Sequence, residues 1–66
     1  MHTLETKTIT LSNREASQVL AALRNWQEET KAGAALEDYF EAYFEEAEAL
    51  SSDEIDALCR RIAEAR

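Results

Sequence analysis

The chain has 66 residues and a net charge of −7, with one cysteine, one histidine, one glycine and no proline. That length holds a single small domain (1–66) of marginal burial. Single copies of Cys59 and His2 exclude an intrachain disulfide and a His/Cys zinc site built from one chain. The negative charge opposes attraction to phosphate backbones or anionic lipid, so neither nucleic acid nor membrane is an expected partner.

Residues 1–11 lack the continuous apolar core of a signal peptide. No run reaches the roughly 18 apolar residues of a membrane helix. The expected location is therefore the cytoplasm. A chain this short closes its stability deficit by disulfides, metal or oligomerisation, and the composition points to the last, as a homodimer.

Along the chain, Lys7-Thr8-Ile9-Thr10-Leu11 alternates at period two, with Ile9 and Leu11 on one face. The pattern predicts a short strand or extended arm over 1–11. A lone strand leaves its backbone groups to water or to another chain, so Lys7, Ile9 and Leu11 are candidate dimer contacts. Ser12 and Glu15 then fit a capping box. Ala16, Val19, Leu20, Leu23 and Trp26 recur at helical spacing, which predicts a first helix over 13–31. Gly33, the one glycine, is the expected left-handed stop.

A second helix is predicted over 35–49. Leu36, Tyr39, Phe40, Tyr43, Phe44 and Ala47 follow a helical apolar series, and ordinary core packing is the first reading of these rings. Tyr39, Tyr43 and Trp26 are also the residue types that anchor interfaces. A second capping box, Ser51 with Glu54, opens a third helix over 52–65. There Leu50 and Ile55 form a staple, and Ile55, Leu58, Cys59 and Ile62 face inward. Cys59 reads as a small buried hydrophobe. The fold class is a mainly α, three-helix small domain with an N-terminal strand or arm.

Between Glu37 and Asp56 stand nine carboxylates and no Lys or Arg. Glu37, Asp38, Glu41, Glu45 and Glu48 cover the side of the second helix opposite the rings, and they form a candidate partner-binding face. Glu41, Glu45 and Glu48 share one stripe and could hold a cation, but the histidines of di-iron bundles and the calcium-loop pattern are both missing. A solvated face is the simpler reading, and no metal or other cofactor is expected. A row of carboxylates about 6 Å apart along a helix would also imitate phosphates and meet a basic protein.

Catalysis has little foothold. The chain has no Ser/His/Asp or Cys/His set and no glycine-rich phosphate loop, so no catalytic residue is assigned and an enzyme is not expected. A strand followed by helices is similar to ribbon-helix-helix repressors. Here, however, the strand's solvent face offers Thr6, Thr8 and Thr10 with Lys7 as the nearby cation, which is poor equipment for reading DNA.

Thr8-Ile9-Thr10-Leu11 with Arg14-Glu15, Val19 through Arg24 with Trp26-Gln27, and Glu54 through Arg61 make up a pattern of the form TITL…VLAALRxWQ…EIDALCxR. It resembles small uncharacterised bacterial proteins over the first third and last quarter of the chain. The resemblance implies a bacterial origin on plasmids or genomic islands and transfers no functional residue. The expected function is a non-enzymatic, self-associating interaction protein. The alternative is an acidic nucleic-acid mimic that inhibits a basic protein.

Overall fold

The computed structural model describes residues 6–65. The expectations placed on residues 1–5, His2 among them, and on Arg66 lie outside the described residues. The chain is mainly helical. Helix α1 spans Asn13–Lys31, α2 spans Leu36–Tyr39, and α3 spans Ser52–Glu64, with a single 3-10 turn at Glu41–Tyr43.

Both long helices start on reciprocal caps. Glu15 N–H donates to Ser12 Oγ at 3.1 Å, and Ser12 N–H donates to Glu15 Oε1 at 2.8 Å. At α3, Glu54 N–H donates to Ser51 Oγ at 3.2 Å, and Ser51 N–H donates to Glu54 Oε1 at 2.8 Å. Each box satisfies donors that the first helical turn leaves free. Helix α1 ends in a Schellman motif. Gly33 takes φ +101°, its N–H reaches Thr30 O at 3.0 Å, and Ala34 N–H reaches Glu29 O at 3.0 Å.

Helices α1 and α3 pack antiparallel, as their polar clasp shows. Arg24, late in α1, meets Asp56 in the second turn of α3, and Gln27, one turn later, meets Ser52 at its start. Ile55 and Cys59 of α3 are the buried residues, each 3% exposed. Ala16, Val19, Leu20, Leu23 and Trp26 of α1 turn toward them and stay half-buried. Leu58 and Ile62 are also half-buried. The core is one helix–helix seam, closed at one end by Trp26.

The second helix departs from the sequence reading. Over 35–49 the periodicity predicts one unbroken helix, but α2 is a single turn. It breaks at Phe40 (φ −109°, ψ +34°), and after the 3-10 turn the chain bends irregularly from Phe44 to the cap of α3. Two forces act against continuation. Glu37, Glu41 and Glu45 repel at successive i, i+4 spacings, roughly 0.2–0.5 kcal/mol per pair, and no cation is interleaved. The tertiary contacts oppose it more strongly. The clasp holds the start of α3 beside the end of α1, and Ala49 N–H lies 3.5 Å from Glu37 Oε2. A continuous helix would set the two backbones about 18 Å apart. The connector must therefore fold back on itself.

The arm behaves differently from a strand as well. Among the described residues there is no strand, and residues 6–12 make no ladder with the rest of the chain. Ile9 is 73% exposed.

Candidate interaction surface

The connector between α1 and α3 sorts its four rings into two kinds. Phe40 and Phe44 flank Trp26, with ring centroids 6.0 and 5.8 Å away. Tyr39 and Tyr43 stand on the other side of Phe40, at 4.8 Å edge-on and 6.4 Å. These are ordinary aromatic separations. The two phenylalanines thus cap the helix seam. Tyr39 is 80% exposed and Tyr43 79% exposed. That corrects the expectation that the whole series Leu36 to Ala47 lies in the core. A signal was available in the residue types: both rings against Trp26 are phenylalanine, Phe40 still partly exposed, and both outward rings carry a hydroxyl that favours water.

The acidic residues alternate with these rings along the connector without forming the predicted row. Glu37 and Asp38 lie on α2, Glu41 on the 3-10 turn, Glu45 in the bends and Glu48 in the coil before α3. All five are exposed. Because the helix stops at Tyr39, the Glu41, Glu45 and Glu48 stripe has no scaffold. Among the described residues, no group of three or more His, Cys, Asp or Glu is placed to hold a metal ion.

Between the end of α1 and the starts of α2 and α3 runs an open cleft of about 420 Å³, bounded by Trp26, Thr30, Leu36, Leu50, Ser51 and Ile55. It marks the joint where the starts of α2 and α3 meet without filling the space between them. Leu50, expected to staple onto Ile55, is partly exposed at its rim.

The opposite flank of the seam is polar. Arg24 Nη1 donates to Asp56 Oδ1 at 2.7 Å and to Gln27 Oε1 at 2.8 Å, and Gln27 Nε2 donates to Asp56 Oδ1 at 2.9 Å. The hydrogen bond from Gln27, joined by that from Arg24, holds the Asp56 carboxyl below its ordinary range. The hydrogen bond to Asp56 raises Arg24 in turn. Sequence reading missed this clasp, since residues 32 positions apart give no periodic signal. Cys59 is buried beneath it.

Of the candidate dimer contacts, Lys7 and Ile9 are exposed and Leu11 is half-buried at the foot of α1. Among the described residues, no helix is long and apolar enough to cross a membrane. In comparisons with known proteins, no family model, no curated protein and no solved structure matches this chain.

Proposed function

We propose that this is a non-enzymatic interaction protein that self-associates through the aromatic connector. The observation that carries the reading is the exposure of Tyr39 and Tyr43, at 80% and 79%, beside the partly exposed Phe40 and Leu50. Tyrosine gives large contact area at small entropic loss, and clustered exposed rings mark interfaces.

Sedimentation velocity over a concentration series tests this. The wild type is expected to pass from monomer to dimer. Tyr39→Ser/Tyr43→Ser, which changes two surface side chains, is expected to stay monomeric with unchanged helical circular dichroism. A wild type that stays monomeric, or a double variant that dimerises equally, refutes the reading. Edge pairing through Lys7, Ile9 and Leu11 is the competing contact. It predicts that Ile9→Pro, and not the tyrosine pair, abolishes the dimer.

A second reading rests on charge. Glu37, Asp38, Glu41, Glu45, Glu46 and Glu48 alternate with the rings along the connector with no cation among them, which suits a basic protein partner. The regular carboxylate row that a nucleic-acid mimic would use has lost its helix, so this reading stands on net charge alone.

A further inference from the structure

We propose that the dimer is an exchanged one, in which residues 36–49 run as a single helix and α3 of each copy packs on α1 of the other. This rests on the self-association proposed above and adds how the two copies are built.

Four observations converge on it. First, the apolar series Leu36, Tyr39, Phe40, Tyr43, Phe44 and Ala47 is continuous in the sequence, yet α2 ends at Tyr39. The fold-back of the connector accompanies the return of α3 to its own α1, where Arg24 and Gln27 meet Asp56 and Ala49 N–H lies 3.5 Å from Glu37 Oε2. Secondly, only Leu50 and the cap Ser51 would separate a full helix from α3; a hairpin that short lays α3 parallel to its own α1, against the antiparallel clasp of Arg24 with Asp56 and Gln27 with Ser52. With 36–49 helical, the backbone at Ala49 stands about 18 Å from that of Glu37, instead of folding back beside it. The Arg24, Gln27, Asp56 and Ser52 clasp can then close only on a second copy. Exchange of an identical element keeps the α1–α3 contacts of Arg24, Gln27, Ser52 and Asp56 and is a low-cost route to a dimer.

Thirdly, area decides between exchange and simple docking. Face-to-face contact through the two tyrosines of each copy would bury on the order of 600–1,000 Å². That falls short of the roughly 1,200 Å² at which specific interfaces begin. Exchange adds the whole α1–α3 seam to the contact between copies. It also sets the completed second helices side by side, with rings inward and carboxylates outward. Fourthly, the open cleft of about 420 Å³ between Trp26, Leu36, Leu50 and Ile55 lies at the joint that would unfold into the helix. A close-packed hinge would resist such opening, because interiors at native density tolerate little rearrangement.

Crosslinking tests this in the full chain. Arg24→Cys/Asp56→Cys, in a Cys59→Ala background, places two thiols where Arg24 and Asp56 meet at 2.7 Å. A short bis-maleimide is added at a concentration where the unmodified chain is dimeric, and the product is sized on a denaturing gel. The exchanged dimer gives a covalent dimer. A covalent monomer overturns the exchange and leaves self-association standing, while a chain that never dimerises removes both. Absence of any 24–56 product from a folded monomer also overturns it, because it indicates rebundling within one chain. A second measurement avoids the variants. In the wild type, ellipticity at 222 nm should deepen by roughly a quarter as residues 40–49 join the helix, in step with the dimer fraction. Dimerisation at constant ellipticity counts against the exchange.

Discussion

At Asp56 two side chains of α1, Arg24 and Gln27, converge on one carboxylate of α3. Its pKa is lowered by the Gln27 hydrogen bond first and by Arg24 next. A lowered folded-state pKa contributes stability above the unfolded value, and that contribution is lost as pH falls through the folded value. Wild type should therefore melt higher than Asp56→Asn at neutral pH, and the gap should close as pH drops below 3.8. Thermal melts of the two proteins between pH 7 and pH 2 check this; a constant gap would contradict it. Glu15, lowered by its bonds to Ser12, acts in the same direction in both proteins. Gly33 makes a separate test. Its φ of +101° lies where L side chains are strained, although a Cβ there would meet nothing within 4 Å. Gly33→Ala should cost about 1 kcal/mol from the backbone alone and lower the melting temperature by roughly 5 °C.

Elements were legible in the sequence where local chemistry decides them. Ser12 with Glu15, Ser51 with Glu54, and Gly33 mark the starts of α1 and α3 and the end of α1, because caps act within a few residues. The second helix was misread because its fate depends on a distant contact: Gln27 and Asp56 hold α3 where a straight connector cannot end. Periodicity over 36–47 reports which residues could share a face, and it is silent on whether the chain has room to make one. Repulsion among Glu37, Glu41 and Glu45 reinforces the break. Glu45→Lys places a cation four residues after Glu41 in the favourable orientation. It should raise helical ellipticity by lengthening α2; an unchanged spectrum would assign the break to tertiary closure alone. Ser51→Ala removes one half of a capping box and should destabilise α3 by about 1 kcal/mol, read as a lower melting midpoint.

The whole molecule has a radius of gyration of 13.1 Å and extents of 35 × 33 × 20 Å. A compact domain of this length has a radius near 11 Å. The chain is a two-helix seam with a folded-back aromatic connector, and its core is small: among the described residues Ile55 and Cys59 are the buried side chains. Self-association would extend that core, yet each copy brings a charge of −7. Raising salt from about 0.01 M to about 0.5 M shortens the screening length severalfold, so the dimer should strengthen with salt in sedimentation equilibrium. A complex with a basic partner would weaken over the same range, so one titration separates the two readings. A dimer that weakens with salt would show that ion pairs, rather than rings, hold it.

The single thiol gives the molecule an internal clock. Cys59 lies in the seam at 3% exposure, at the floor of a cleft rimmed by Arg24, Asp56 and Arg60, so an alkylating reagent reaches it fastest while α1 and α3 are apart. The rate of its modification, divided by the rate for the unfolded chain, is then an upper limit on the fraction of time the seam stands open. Followed against protein concentration, that rate tells whether parting of the helices is a step on the way to assembly or an accident of the lone chain.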